Sequence, residues 1–234
     1  MKYPNIVRAA FLDRPNRFVA HVELAGRVET VHVKNTGRCG ELLLPGAEVW
    51  LTEPGTEGRK TRYDLVAVRK ESGLLVNVDS QAPNAVAGEW LAGLDFDRVV
   101  PEFRYEASRL DFFLERRGGR GAGNYLLEVK GCTLERGGLG WFPDAPTERG
   151  VRHLRTLRQA LDRGWRAALL FVIQMDGVRK VRANVQTHPE FGTELEAARA
   201  AGVGVLYLPC HVEPDSLSAA HAPEAAAWLR GESL

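Results

Sequence analysis

Asp111 and, seventeen positions later, Glu128-Val129-Lys130 are the residues whose types and spacing could do chemistry. Asp111 sits in the apolar run Leu110-Asp111-Phe112-Phe113-Leu114, the others in Tyr125-Leu126-Leu127-Glu128-Val129-Lys130. Aromatic and aliphatic runs of this kind read as short buried strands, and Gly118-Gly119-Arg120-Gly121 between them reads as a hairpin connection. Alternation along a strand points Glu128 and Lys130 to one face and Val129 to the other. Two carboxylates and an ammonium among apolar side chains are costly unless something pairs them. A divalent cation between Asp111 and Glu128, with the Val129 carbonyl as a third ligand, would offset that cost. Mg²⁺ or Mn²⁺ suits such oxygen ligands, polarises a phosphoryl oxygen and generates hydroxide from bound water. Lys130 would then orient that water or stabilise charge developing on the phosphate. The plain alternative is an ordinary Glu128–Lys130 ion pair at a strand end, with Asp111 solvated. Spacing alone divides the two readings evenly.

These residues need a sheet and helices to hold them. Asn84 can cap a helix running to about 94, with Val86, Trp90, Leu91 and Leu94 on one face. Strands are expected near 99–105, 109–114 and 125–130. A helix at 147–163, a buried strand at 167–174, a helix near 189–200 and a strand at 204–208 follow, and Pro223 opens a short last helix. The first eighty or so residues are instead β-rich. Segments 17–24 and 28–33 alternate about Ala25-Gly26-Arg27, a short strand at 48–51 precedes Pro54-Gly55, and 64–68 and 74–78 flank Glu71-Ser72-Gly73. Five short strands with close turns suit a small barrel. Arg14, Arg17, Phe18 and Trp50 are its candidates for a strand-binding groove, although Phe18 and Trp50 read equally well as core. The turn at Ser80-Gln81-Ala82-Pro83 divides the chain into domains at 1–82 and 83–234.

Composition fits this layout. A chain of 234 residues with 44% hydrophobic and 26% charged residues can bury one large core or two modest ones. No apolar run approaches the roughly 18 residues of a membrane span, and the N-terminus lacks a basic-then-apolar signal, so a cytoplasmic protein with no membrane partner is expected. Cys39, Cys132 and Cys210 are odd in number and lack CxxC spacing, which points to buried thiols rather than disulfides or zinc. A net charge of +1 does not advertise nucleic acid. Its distribution is more informative: between 146 and 166 lie Arg149, Arg152, Arg155, Arg158, Arg163 and Arg166 against Glu148 and Asp162. Alone, that is a solvated helix face; beside a metal site it becomes a phosphate-contacting surface.

Five ordered blocks resemble the sugar fermentation stimulation protein family (SfsA). They are Asn35-Thr36-Gly37-Arg38-Cys39-Gly40-Glu41-Leu42-Leu43-Leu44-Pro45-Gly46, Pro83-Asn84, Ser108-Arg109-Leu110-Asp111-Phe112, Leu127-Glu128-Val129-Lys130-Gly131-Cys132-Thr133-Leu134, and the run from Trp141-Phe142-Pro143-Asp144 to Arg152-His153-Leu154. The resemblance implies an N-terminal OB-like β-barrel and a C-terminal α/β domain similar to PD-(D/E)xK nucleases, whose α-β-β-β-α-β order the expected elements resemble. It also implies DNA as partner. Cys39 and Asp79 depart from the family's usual residues, away from the proposed site.

Under that resemblance Glu89 resembles a third carboxylate from the first helix and Glu102 a family acid; either reads otherwise as surface charge. Asp144 is either a further ligand or a turn residue bonding its own backbone. Arg149 and His153 share a helix face, and His153 reads as a proton shuttle, a DNA contact or a structural histidine. Asn35-Thr36-Gly37 is explained by a tight turn alone. The expected function is largely sequence-nonspecific DNA binding through Arg17, Arg149, Arg152, His153 and Arg155. Metal-dependent phosphodiester hydrolysis by Asp111, Glu128 and Lys130 is the enzymatic extension. The alternatives are a non-catalytic DNA-binding regulator of sugar metabolism and an enzyme acting on a small phosphorylated metabolite.

Overall fold

The alternating apolar residues of the first third close into a barrel. In this computed structural model, which describes residues 1–35, 37–55 and 58–232, the strands are β1 (Ile6–Asn16), β2 (Val19–Leu24), β3 (Arg27–Val33), β4 (Glu48–Thr52), β5 (Asp64–Arg69) and β6 (Leu75–Asn77). Their order is β3-β2-β1-β4-β5-β6, and parallel pairing of β3 with β5 closes the first five into an OB barrel. Ala25 and Gly26 both have positive φ at the β2–β3 turn, the conformation a two-residue hairpin loop demands. Five strands were expected and five close the barrel, but they are not the same five. β1, the longest, carries Pro15 and two register shifts that hide its alternation, whereas the expected strand at 74–78 becomes β6, outside the closure.

The rest of the chain forms α1 (Ala82–Ala92), β7 (Arg98–Tyr105), β8 (Ser108–Arg116), β9 (Gly123–Cys132), β10 (Leu134–Arg136), β11 (Leu139–Phe142), α2 (Glu148–Asp162), β12 (Arg166–Ile173), β13 (Val181–Ala183), α3 (Pro189–Ala201), β14 (Gly204–Glu213), β15 (Ser216–Ala219) and α4 (Pro223–Leu229). The main sheet runs β15-β14-β12-β9-β8-β7, antiparallel at its edges and parallel across β9, β12 and β14. β12 is buried on both faces, as a central parallel strand should be. Leu169, Phe171 and Ile173 pack with Val151, Leu154 and Leu157 of α2 and Phe191 of α3. Ala168, Leu170 and Val172 pack with Val86 and Leu91 of α1 and Leu229 of α4. Asn84 falls inside α1 rather than capping it; Gln81 holds the N-cap position. Strands β10, β11 and β13 form a small separate sheet that the sequence reading missed.

Barrel and α/β domain share a core. The cluster under α2 and α3 continues into Val22, Val31, Leu51 and Leu65 of the barrel. Gln174, 1% exposed, follows β12 and donates to the carbonyls of Asn77 and Asp79 and to Asn77 Oδ1 at 2.9–3.1 Å. The N-terminal segment crosses the other way: Lys2 bridges to Ser216, and the Tyr3 N–H donates to the Asp215 carbonyl at 2.7 Å. Gln174→Ala should destabilise the whole chain, at about 1–3 kcal/mol for each buried acceptor left unpaired. Urea unfolding checks this, and an unchanged midpoint would show that water replaces the amide.

Candidate functional site

Glu128 and Lys130 share a face of β9, while Val129 packs among the apolar residues of the opposite face. Glu128 is 2% exposed, and its Oε1 accepts from both the Lys130 ammonium and His153 Nδ1. Its other oxygen, Oε2, is buried and has no hydrogen-bond partner. Burial pushes the Glu128 carboxyl up, but Lys130 and then His153 outweigh it and hold it below the ordinary glutamate value.

Asp111 arrives from β8, where the alternation breaks: Leu110 and Phe113, three apart, pack into the same cluster. Pairing of β8 with β9 is regular as far as Phe112 opposite Leu127. The next backbone N–H, that of Val129, donates instead to Asp111 Oδ2 at 2.7 Å, while Oδ1 accepts from the Asn84 side chain at 2.7 Å. Burial and the nearby Glu128 charge push Asp111 above the ordinary aspartate value, partly offset by Val129, Lys130 and Asn84. Beyond Asp111, Glu102 sits at the one pair skipped in an unshifted β7–β8 register, between Pro101–Phe112 and Phe103–Leu110, and has φ +53°. Such a backbone at a non-glycine residue beside a charged site is stored strain. Glu102 pairs with Arg109 at 2.5 Å, and both line a cavity of about 450 Å³ with Asn84, Leu110, Asp111 and Arg149.

The helix above the site starts at Thr147, whose hydroxyl accepts from the Gly150 N–H at 3.1 Å. Its arginines do not form the expected basic stripe. Arg155 is held by Glu190 at 2.7 Å and Glu194 at 3.2 Å, Arg158 by Glu194 at 2.7 Å, and Arg163 by Glu106. Arg155 thereby ties α2 to α3 while its side chain stays half-exposed. Arg149 and Arg152 remain exposed and make no ion pair among the described residues. His153, 6% exposed, is buried against Glu128. Arg149 Nε, which can only donate, lies 3.3 Å from His153 Nε2, so Nε2 accepts and Nδ1–H donates to Glu128. His153 thus connects an exposed guanidinium to the buried carboxylate, a role its one-turn spacing from Arg149 hinted at.

The remaining candidates lie elsewhere. Glu89 is exposed and pairs with the Met1 amino group at 2.8 Å, away from Asp111 and Glu128. Asp144 neither joins them nor caps its own turn: its Oδ2 accepts from the Cys39 N–H at 3.4 Å, clasping the barrel loop. Asn35 Oδ1 accepts from the Gly37 N–H at 2.7 Å, the tight turn expected; Thr36 lies outside the described residues. Arg14 is withdrawn as a phosphate contact, because its guanidinium donates to the carbonyls of Arg17, Asn35, Gly37 and Arg38. Trp50 is buried at 6% exposure under Arg69, whereas Phe18 is 51% exposed beside the exposed Arg17. The three cysteines are buried free thiols, and burial pushes each up to about 12.

A second group, Glu148, His188 and Glu190, brings ligand-type atoms within 4.8 Å of one another. His188 Nδ1 accepts from the Thr147 N–H at 3.1 Å, which leaves the proton on Nε2, facing Glu148 at 3.4 Å. With Glu190 bound to Arg155, the group works as a clasp between the start of α2 and α3.

Residues 81–216 match the family model described as the sugar fermentation stimulation protein RE domain, and residues 12–78 match its N-terminal OB domain. The chain belongs to the sugar fermentation stimulation protein family. A family homologue from Desulfitobacterium hafniense is 49% identical over 222 residues, covering 94% of this chain and 95% of the relative. One from Clostridium beijerinckii is 44% identical over 222 residues, covering 93% and 96%. Among solved structures, SfsA of Pyrococcus furiosus in complex with Ca²⁺ superimposes with a TM-score of 0.82 at 29% identity, covering 95% of this chain and 96% of that one. The SfsA fold, an OB barrel followed by an α/β domain, is therefore that of this chain. Among the described residues no helix is long and apolar enough to cross a membrane.

Proposed function

We propose that this SfsA-family protein binds DNA and hydrolyses phosphodiester bonds at the Asp111–Glu128–Lys130 site with the help of a divalent cation. The observation that carries this reading is Glu128 Oε2, a buried carboxylate oxygen without a partner among the described residues, beside the half-buried carboxylate of Asp111. A purely structural ion pair would leave no reason to strand that oxygen.

The donor set fits a hard cation. Glu128 Oε2 is open, and each Asp111 oxygen accepts one hydrogen bond where a carboxylate oxygen can take two. The N–H and C=O of one strand residue point to the same side, so the Val129 carbonyl faces the Asp111 side, as its N–H does. Oxygen-only donors suit Mg²⁺ or Mn²⁺, and equally the Ca²⁺ named for the Pyrococcus relative. Such an ion would supply Lewis acidity and an acidified water. Around it, Asn84 and the Val129 N–H fix the Asp111 carboxylate, and His153 with Lys130 fixes Glu128 by its inner oxygen. The Lys130 ammonium supplies positive charge where the attacking oxygen and the pentavalent phosphorus develop negative charge. Arg149, with its Nε on His153, keeps its outer N–H groups for a phosphate in the cavity beside Asp111.

Two expectations follow. Mn²⁺ affinity by calorimetry should weaken as pH falls, and at a higher pH than the ordinary aspartate value of 3.8 would give, because Asp111 is raised and must be ionised to ligate. Glu128, held low, remains ionised through that window. In the chelated protein the sign reverses for Asp111: its protonation on the way down in pH relieves a buried charge and adds stability. An affinity independent of pH across the carboxylate range would place the ion elsewhere.

The function itself is tested with pure protein and labelled single- and double-stranded DNA, with Mg²⁺, Mn²⁺ or chelator. Binding should weaken steeply with salt, and Arg152→Ala should lower the slope of log affinity against log salt by about 1 while weakening all sequences alike. Binding that ignores salt would sink the DNA reading; binding without metal-dependent cleavage would leave the non-catalytic regulator.

A further inference from the structure

A cleft of about 770 Å³ lies between the barrel and the α/β domain. Its barrel wall presents Arg17 and Arg38, neither of which makes an ion pair among the described residues. The facing wall presents Asp144, Thr147 and Gln174 and carries no basic side chain. Next to Arg17 in the chain, Phe18 is 51% exposed, with the Arg17 guanidinium 5.8 Å from its ring centre. The floor reaches Gly131, the residue after Lys130, and Pro83, the residue before the Asn84 that holds Asp111.

We infer that this cleft holds one strand of DNA and leads it to the Asp111–Glu128 site, so that the protein takes single strands and frayed ends in preference to intact duplex. The inference rests on the proposed phosphodiesterase reading for what happens at the end of the cleft, not for the strand preference itself. Three features carry it. A volume in the range that encloses a small ligand admits a few nucleotides of one strand, whereas a duplex can only lie across the mouth. The walls are unlike: Arg17 and Arg38 attract phosphates, while the α/β side carries the Asp144 carboxylate, which repels them, and no basic side chain. A second phosphate backbone would have to run along that acidic wall. Finally, an exposed aromatic beside an unpaired arginine is a stacking platform, useful only to bases no longer stacked in a duplex.

The test measures fluorescence anisotropy of a labelled 12-nucleotide single strand and of a blunt hairpin duplex of matched composition. It uses the full chain in chelator, so that cleavage does not intrude, with thermal melting to confirm that each variant is folded. Wild type should bind the single strand at least about tenfold more tightly. Phe18→Ala should weaken single-strand binding roughly 5- to 100-fold, the range for one base stack, and change duplex binding less than twofold. The double replacement Arg17→Ala with Arg38→Ala should weaken the single strand further and flatten its salt dependence. Equal or tighter duplex binding, or single-strand affinity unmoved in folded Phe18→Ala, overturns the inference while leaving metal-dependent cleavage to stand by itself. Strand preference without Mn²⁺ binding or cleavage would instead overturn the phosphodiesterase reading and keep this one.

Discussion

Lys130→Ala is expected to slow metal-dependent phosphodiester cleavage by on the order of 10²–10³, the loss that follows removal of one electrostatic stabiliser. Among the described residues the ammonium hydrogen-bonds to Glu128 Oε1, so it is held at the site by the group beside which it would act. DNA affinity should change little, because Lys130 is largely buried and lies at the reacting centre rather than on an exposed face. Lys130→Met keeps the apolar stem and should lose as much rate as Lys130→Ala, which separates charge from packing. The comparison is single-turnover cleavage and binding side by side, with metal and with chelator. Cleavage that survives both Lys130→Ala and Asp111→Asn would come from a contaminating nuclease.

Asp111→Asn should split stability from metal response. In wild type an ion at a hundred times its Kd adds about 2.7 kcal/mol. At about 2–4 °C per kcal/mol for a chain of this size, that raises the melting temperature by roughly 5–10 °C. The variant should show no such rise. In chelator it should melt at or above wild type, since burial and the Glu128 charge already disfavour an ionised group there. Differential scanning fluorimetry across an Mn²⁺ titration reads both effects. A full metal-induced rise in Asp111→Asn would exclude Asp111 as a ligand.

The sequence made the β8–β9 hairpin visible because Asp111 and Glu128 interrupt runs otherwise given over to aromatic and aliphatic residues. Helix α2 was expected at 147–163, and in the folded chain Thr147 caps it and Val151, Leu154 and Leu157 form its buried face. Other features depend on contacts far along the chain. The arginines of α2 could be counted, but Glu190 and Glu194 that neutralise two of them sit some forty residues on. For His153 the residue type left a proton shuttle, a DNA contact and a structural histidine open, and only the tertiary packing places it over Glu128. Strand β1 escaped notice because its bulges break the period of two on which recognition depends. Strands β10, β11 and β13, three or four residues each, are too short to carry any period.

The crossing of Lys2 and Tyr3 to Asp215 and Ser216 sets an order of assembly during synthesis. Lys2 and Tyr3 are made well before Asp215 and Ser216, their partners some two hundred residues further along the chain. At about 5–20 residues per second the N-terminal segment waits on the order of ten to forty seconds for them. During that interval β1 to β5 can close on one another, since every pairing of the barrel lies within the first seventy residues. The tip that precedes β1 cannot dock. A segment translated some two hundred residues later thus fastens the one ahead of β1, and a nascent chain stalled before Asp215 would hold a closed barrel whose leading segment is still untied.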